Sequence, residues 1–509
     1  MRCTGTQPCE VCIREEVPCE YASSGPVNSA SPQSVSIQRL IVSTPGLDDR
    51  SQGPKRTFDE SNDVSRGPSS RAESAYNDTA PSRRASLEPP QTFVYGNHVG
   101  PTSGVSFLYG QWNKGQTQDE PKVNSGEGEA ILSNAPLISY GDVAQLDYDT
   151  VSSLPEPESS FTIDQMLDIL DRYFQHISPT YRFHHHPTVR RWAITYVSGD
   201  RKRLTYAQKA CVLLICAQTL LHSPVGPSVI QVGQGDPRTS MACSERAKAL
   251  LEKEPGPASL ASVQARIALC LYLLSTFRLN ECRYCFSFAV TVATALGIHR
   301  KLTSSAKANV LEAESRKRTF WSLYTLDGYL SVMLGRPRLI RDEDIDQQYP
   351  RNIADNDLMS TEPAEDLPQH GNLEAAVAHA KLAKLMGRGN DLLYPLHSLT
   401  KDQLLQRSNE MLDALAEWQN ALPDYLRPRA RTMTGQRSFE RQNTILKLAN
   451  MHVRILATRR CLLMDFGHTT SNAFSQSEDG RAKRVVRECI SAIIMILDTV
   501  QALIEHNQC

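Results

Sequence analysis

Four cysteines near the start of the chain are the side chains most able to do chemistry. Their spacing is C-x5-C-x2-C-x6-C, and Pro8 stands just before the central pair. Thiolates at short spacings of this kind are ligands of tetrahedral zinc sites. We therefore predict that zinc is the cofactor and that its ligands are Cys3, Cys9, Cys12 and Cys19. The alternative is four unrelated thiols.

The stretch from Arg2 to Tyr21 resembles the second half of the fungal Zn2Cys6 binuclear zinc cluster. Gly5, Pro8 and the Glu20-Tyr21 exit also match. In that family six cysteines hold two zinc ions. By position, the resemblance implies that Cys3 is the third ligand of the cluster and that Cys9 is the fourth, which bridges both zinc ions. It implies that Cys12 and Cys19 are the fifth and sixth ligands.

The first half of that cluster, a C-x2-C leading into a basic helix, does not precede Cys3, and Arg2 is what remains of the basic run. In the family this helix reads base edges in the major groove. Residues 1–25 contain two arginines against four glutamates, and an acidic fragment does not hold DNA by counterion release. We therefore expect sequence-specific DNA binding only from a complete cluster, with Arg2 as a weak contact. A start site chosen too late would explain the missing half.

Residues 22–158 are rich in Ser, Pro, Gly, Asn and Gln and show no sustained helical or strand period. A segment of this composition buries too little apolar surface to offset its chain entropy. We predict a disordered linker between the partial zinc cluster (1–21) and the remainder (159–509). Within the linker, Arg83-Arg84-Ala85-Ser86 has the form of a site for a basic-directed kinase, so Ser86 is a candidate phosphosite.

From Phe161 onward, apolar residues recur at helical spacing, and breaks with Gly and Pro separate the segments. The predicted fold class is all-α, with one large helical domain over residues 159–509. The apolar runs at 210–216 and 267–274 are far shorter than the roughly 20 residues that a bilayer span needs. The 55 basic and 56 acidic residues nearly cancel, so no global charge attracts DNA or a membrane.

Glu314 to Pro337 includes F-W-S-L-Y-T-L-D and ends in G-R-P, and Asp344-Ile345-Asp346 follows. This stretch resembles the signature of the fungal-specific transcription factor domain, the middle homology region. The segment Trp418 to Pro423 matches the W-x3-L-P of the same domain. The resemblance implies a nuclear regulator of RNA polymerase II genes whose helical domain is regulatory. It implies DNA and the transcription machinery as partners, and it allows a homodimer and a small-molecule effector.

Asp327 falls within the apolar stripe of the helix that carries this signature. A buried carboxylate needs a partner, because an unpaired buried charge is very costly. We expect a structural ion pair between Asp327 and Arg336, with Arg318 as the alternative partner. A catalytic or ligand-binding role for the Asp327 and Arg336 pair is the other interpretation, but no nucleophile and base accompany them.

Two further patterns invite a metal interpretation. His184, His185 and His186 are adjacent, but neighbours along a chain point in different directions, so we predict a turn of partly exposed imidazoles. Cys282 and Cys285 form a C-x2-C within a helical period, which favours two thiols packed against neighbouring helices.

Three functions from different classes remain. The first is a zinc-dependent transcription regulator, and the second is a helical protein of the same origin that binds partners or an effector without binding DNA. The third, an enzyme, has no P-loop, G-x-S-x-G or H-E-x-x-H motif to support it, so we predict that the chain is not an enzyme.

Overall fold

The structure is a computed structural model that describes residues 92–94, 97–104, 106–107, 161–222, 237–301, 309–359, 372–427, 437–462 and 476–505. A short antiparallel hairpin comes first, formed by β1 (Thr92–Val94) and β2 (Asn97–Val99). The helices that follow are α1 (Ile163–Arg172), α2 (His186–Val197), α3 (Tyr206–Leu221), α4 (Pro237–Glu252), α5 (Leu260–Ser275), α6 (Leu279–Ala295), α7 (Val310–Leu334), α8 (Glu374–Leu393), α9 (Lys401–Asn420), α10 (Arg437–Leu462) and α11 (Gln476–Glu505).

Several helices begin at reciprocal caps that the local sequence specifies. The Thr162 hydroxyl accepts from the Gln165 amide at 3.3 Å, and the Gln165 side chain accepts from the Thr162 amide at 2.9 Å. Thr205 and Thr400 begin α3 and α9 through the same capping box. Each box satisfies two amides that the first helical turn leaves without intrahelical acceptors.

The first core is built around α3 and α5, which are apolar on nearly every face. Helix α3 packs between α4 and α5, and α5 packs in turn on α6. Nearly all side chains from Ala210 to Leu220 are buried. A helix that is hydrophobic all round belongs in the interior of a large domain, so the sequence places these two helices at the centre.

A second group of helices packs beyond α7. Helix α8 contacts α7 on one side and α10 on the other, and α11 packs on α10 and α9. Leu382, Met386 and Leu415 are fully buried at the centre of this group. Helix α7 therefore lies between the two cores and touches both.

The all-α fold class is confirmed for the described residues, and no described helix is long and apolar enough to cross a membrane. One local expectation differs from the structure. His186 is the first residue of α2 and His185 is its N-cap, and His184 and His185 are buried instead of lying in an exposed turn. Residues 97–104 and 106–107, which come from the stretch predicted to be a linker, pack against the helical domain, with Val99 fully buried beside Leu279 and Leu334. This contact needs only one apolar side chain, Val99, and one glycine, Gly100. Two such residues hardly change the average composition of a long segment, so composition does not reveal the contact.

Candidate functional site

The candidate site is the end of α7 and the turn that follows, residues 335–341, which we call the signature turn. Asn309 caps the start of α7, its side chain accepting from the Leu311 amide at 3.0 Å. Gly335 ends the helix with a φ of 65°, in the left-handed region that favours glycine. Pro337 then prevents the helix from continuing. The sequence therefore fixes where the signature turn begins.

The Asp327 carboxylate is buried at 1% exposure and accepts hydrogen bonds from the signature turn. The Leu339 and Ile340 amides each donate to Oδ2 at 2.9 Å. Arg283, on α6, lies with Nη1 3.4 Å from Oδ1 and donates from Nη2 to the Pro337 carbonyl at 2.7 Å. Asp327 therefore holds the turn against two helices.

Burial raises the pKa of the Asp327 carboxyl above its ordinary value. The amides of Ile340 and Leu339 and the Arg283 guanidinium act in the opposite direction, because each stabilises the ionised form. The same burial lowers the pKa of Arg283, and the nearby Asp327 opposes that change. Burial therefore disfavours the charged form of each group, and each charge partly offsets the effect of burial on the other.

The arginine beside Asp327 differs from the partners we expected. Arg336 donates to the Asn280 side chain at 2.9 Å and to the His98 carbonyl at 3.1 Å. Arg318 lies nine residues before Asp327 on α7 and pairs with Asp355 at 2.5 Å. The side chain of Arg336 turns away from Asp327 because the left-handed Gly335 redirects the chain toward β2. Arg283 could not be found from spacing, since nothing local indicates which helix packs beside α7.

Asp355 forms a second polar centre that the sequence did not indicate. It accepts from Arg318 and from the His186 amide at 2.9 Å, and its carbonyl lies 2.7 Å from His185 Nε2. Burial acts to raise the pKa of Asp355, but Arg318 and the His186 amide outweigh it and hold that pKa below its ordinary value. The start of α2 is thus fastened to α7 through a carboxylate.

Aromatic side chains of α7 hold the chain that follows the signature turn. The Tyr324 hydroxyl donates to Asp342 Oδ1 at 2.6 Å, and the Trp321 indole donates to the Gln348 carbonyl at 2.8 Å. The Trp321 ring stacks on Tyr349 with centroids 4.1 Å apart. The W-S-L-Y spacing of the signature therefore serves to wrap residues 342–349 along the helix.

Residues 97–104 and 106–107, which we call the docked segment, close the other side of the signature turn. The Gly100 amide donates to the Leu334 carbonyl at 3.1 Å. A Cβ at Gly100 or at Gly335 would overlap the backbone of the other residue. Arg459 of α10 donates to the Thr102 carbonyl and lies over the ring of Phe107. The docked segment thus depends on glycine at two positions.

A cavity of about 550 Å³ lies between the docked segment, the signature turn, the end of α8 and α10. Pro101 and Thr102 form one wall, and Tyr394 and Leu396 form another. Guanidinium groups outnumber carboxylates among its charged lining residues, which are Arg336, Arg338, Arg341, Arg460, Glu343 and Asp391. The cavity can therefore receive a small molecule that carries negative charge.

The three adjacent histidines diverge. His184 Nδ1 lies 3.2 Å from the Tyr173 hydroxyl, and His185 Nδ1 lies 2.8 Å from the Thr188 hydroxyl. His186 faces Asp171 at 3.6 Å. No group of three metal-binding side chains occurs among the residues that the structure describes. Burial lowers the pKa of His184 to about 3, so this imidazole is neutral.

The cysteines of the helical domain are free thiols in the described residues. Cys282 donates to the Cys270 carbonyl at 3.4 Å, whereas Cys285 points to the Arg266 carbonyl at 3.8 Å. The C-x2-C therefore places its two thiols against α5. The predicted zinc ligands Cys3, Cys9, Cys12 and Cys19, together with Arg2 and Ser86, lie outside the described residues.

The fold and the site define a helical domain whose buried charges hold helices and turns together. Residues 170–422 match the family model of the fungal specific transcription factor domain. The signature turn lies inside the matched region.

The relatives found by comparison are fungal transcription proteins. One is Activator of stress genes 1 of Saccharomyces cerevisiae, 30% identical over 254 residues, which are 49% of this chain and 25% of that protein. Transcriptional activator protein acu-15 of Neurospora crassa is 24% identical over 58% of this chain and 31% of its own length. The Zn(2)-C6 fungal-type transcription factor pigI of Monascus ruber is 24% identical over 43% and 26%. The aligned part of the chain spans a third or less of each of these relatives.

Proposed function

We propose that this chain is a zinc-dependent regulator of transcription in the fungal nucleus and that its helical domain is the regulatory part. The match of residues 170–422 to the fungal specific transcription factor domain carries the proposal. The printed names of the relatives, activators and a Zn(2)-C6 factor among them, support it. The domain family is one of transcription factors and not of enzymes.

Zinc is the proposed cofactor, with Cys3, Cys9, Cys12 and Cys19 as its ligands. Four thiolates can close one tetrahedral site and release protons as zinc binds. Elemental analysis of the 509-residue protein, purified without chelator, should find at least one zinc per chain. Cys12→Ser should lower that content, whereas Cys285→Ser, a thiol of the helical domain, should leave it unchanged. A content well below one zinc would contradict this part of the proposal.

DNA and the transcription machinery are the proposed partners. A chain that binds DNA through phosphate contacts is retained on a duplex with an affinity that falls as salt rises. Retention that does not change with salt would favour the alternative, a helical protein that binds partners or an effector without DNA. Ser86 remains the proposed phosphosite, and phosphopeptide analysis of the protein from fungal cells tests it.

The cavity beside the signature turn supports effector binding as the second candidate function. Its excess of guanidinium groups favours a small anion. Phosphate and succinate are suitable probes, with thermal stability as the readout. We expect Arg341→Glu to remove the stabilisation by the probe, and Lys202→Glu, an exposed cation that does not line the cavity, to retain it. No stabilisation of the unmodified protein would contradict an anion site.

A further inference from the structure

Three thiols of the first core meet between α5 and α6. The Cys270 thiol, on α5, donates to the Cys282 carbonyl at 3.6 Å, and the Cys282 thiol donates back to the Cys270 carbonyl at 3.4 Å. The Cys270 thiol also lies within hydrogen-bonding distance of the thiols of Cys282 and Cys285. We call these three residues the thiol cluster. Cys270 is the member that both cysteines of the C-x2-C can reach.

The members of the thiol cluster differ in their access to solvent. Cys270 and Cys282 are fully buried, whereas Cys285 is the one partly exposed cysteine among the residues that the structure describes. Its neighbours Tyr284 and Phe288 are 63% and 55% exposed, so Cys285 lies at the edge of the core. A small reagent from solution therefore meets Cys285 first. Burial raises the pKa of the Cys270 thiol well above its ordinary value, which keeps Cys270 protonated beside it.

We propose that the thiol cluster is an oxidative modification site, at which hydrogen peroxide joins Cys285 and Cys270 in a disulfide between α6 and α5. In the first step the Cys285 sulfur attacks one oxygen of the peroxide. The O–O bond breaks and an S–O bond forms. The products are Cys285 sulfenic acid and one molecule of water, which carries the proton of the Cys285 thiol.

In the second step the Cys270 sulfur attacks the sulfur of the Cys285 sulfenic acid. The S–O bond breaks, and hydroxide leaves with the proton of the Cys270 thiol as a second molecule of water. The two thiols have then lost two electrons and two protons, and the peroxide has been reduced to water. Because the Cys270 thiol already touches the oxidised sulfur, the disulfide forms before Cys285 is oxidised further to a sulfinic acid.

Arg283 connects the thiol cluster to the signature turn, because it lies between Cys282 and Cys285 on α6. Its guanidinium donates to the Pro337 carbonyl at 2.7 Å and lies 3.4 Å from Asp327 Oδ1. The sulfur atoms of a disulfide are about 2 Å apart, closer than those of two thiols in contact. Helix α6 must therefore shift or rotate toward α5, and a close-packed interior transmits such a movement. We expect the contacts of Arg283 with the turn to loosen on oxidation.

Peptide mapping tests the disulfide directly. Trypsin cleaves after arginine and yields the peptides 267–278, 279–283 and 284–300, with one cysteine of the thiol cluster in each. After the 509-residue protein is treated with hydrogen peroxide, we expect 267–278 linked to 284–300. The linked pair should be lighter than the two peptides together by two hydrogen atoms, and dithiothreitol should separate it. Absence of this pair, or a link to 279–283 in its place, would overturn the proposal.

Matched variants locate the reaction. Cys285→Ser should abolish the linked pair. Cys211→Ser should retain it, because the Cys211 thiol donates to the Ala261 carbonyl, at the other end of α5. Circular dichroism of each variant establishes that the domain is folded.

Hydrogen exchange tests the connection to the signature turn. Peroxide should speed exchange over residues 335–341 in the unmodified protein and leave it unchanged in Cys285→Ser. The cysteines elsewhere in the chain are the same in both proteins, so the difference between them reports the thiol cluster. Equal exchange before and after the disulfide forms would overturn the connection through Arg283.

Discussion

The backbones of Gly100 and Gly335 lie in direct contact, although 235 positions separate them in the chain. Gly335 ends the signature helix in a left-handed conformation, and Gly100 fastens the docked segment to that helix end. A side chain at either position would overlap the other backbone. The same turn therefore terminates α7 and receives a segment from the stretch that the sequence assigns to a linker.

We predict that Gly100→Ala releases the docked segment while the helical domain stays folded. The added methyl group has no space, because the Gly335 carbonyl occupies its position. Hydrogen exchange should show loss of protection over residues 97–107. Gly104→Ala is the matched control, because a Cβ there meets nothing within 4 Å. Equal exchange in the two variants would mean that the Gly100 contact does not hold the segment.

We predict an energetic coupling between Asp327 and Arg283 of about 0.5 to 3 kcal/mol, the range measured for residues that are in contact or share one hydrogen-bond network. Asp327→Asn alone should destabilise the domain by about 3 to 5 kcal/mol, since it leaves a buried guanidinium without its carboxylate. Denaturant unfolding of Asp327→Asn, Arg283→Met and the double variant provides the cycle. The control cycle pairs Asp327→Asn with Arg318→Met. Arg318 contacts Asp355 instead, so those two effects should add.

Stability should fall as the solution is acidified below pH 6.5. Burial lowers the pKa of His184 to about 3 and the pKa values of His379 and His452 to about 4. Because histidine is a base, a lowered pKa keeps these three imidazoles neutral in the folded chain, whereas the same imidazoles take up protons in the unfolded chain. Their contribution to the free energy of unfolding is complete above the ordinary histidine pKa of 6.5 and is lost as the pH falls toward 4.

Near pH 5 the unfolded chain binds about three more protons at these histidines than the folded chain does. The free energy of unfolding therefore changes by about 4 kcal/mol per pH unit. Denaturant titrations at several pH values between 6.5 and 4.5 measure it. His379→Gln should reduce the slope by about a third, because one fewer buried imidazole then titrates. A free energy of unfolding that does not change over this interval would contradict the burial of neutral histidines.

The thiols of the helical domain should resist alkylation while the domain is folded. Burial raises the pKa of Cys243 to about 12 and that of Cys461 to about 11, so little thiolate forms at neutral pH. Iodoacetamide followed by peptide mass spectrometry should find both cysteines labelled in urea and unlabelled in buffer. Labelling of Cys243 at the same rate in both solutions would show that its surroundings are open.

The helical periodicity and the residues that end helices could be predicted from the sequence. The residues that pair between different helices could not. The helical repeat of α7 and the stop at Gly335 follow from local residue types, and the structure has both. The arginine beside Asp327 depends on α6 packing next to α7, which no spacing along the chain encodes. The C-x2-C of Cys282 and Cys285 could be interpreted correctly as packed thiols, because residues three apart on a helix share a face and here that face lies against α5.

The docked segment shows a different limit of sequence analysis. Its contact rests on Val99 and Gly100, on two carbonyls that accept from arginines, and on a glycine in a distant helix cap. Every residue type has a backbone carbonyl, so hydrogen bonds to these carbonyls cannot be predicted from the amino-acid sequence. His184 and His185 illustrate the converse, since polar residues of exposed character are buried once Tyr173 and Asp355 supply partners.

The contacts of Asp327 also constrain the order in which this region can form. Its donors come from 12 and 13 residues later in the chain and from Arg283, 44 residues earlier. Opening the signature turn alone would leave the carboxylate buried without its two amides, which is costly while α6 remains packed. We therefore expect α6, α7 and the turn to open as one cooperative unit, so that slow hydrogen exchange in the turn reports the docking of two helices rather than the stability of a loop.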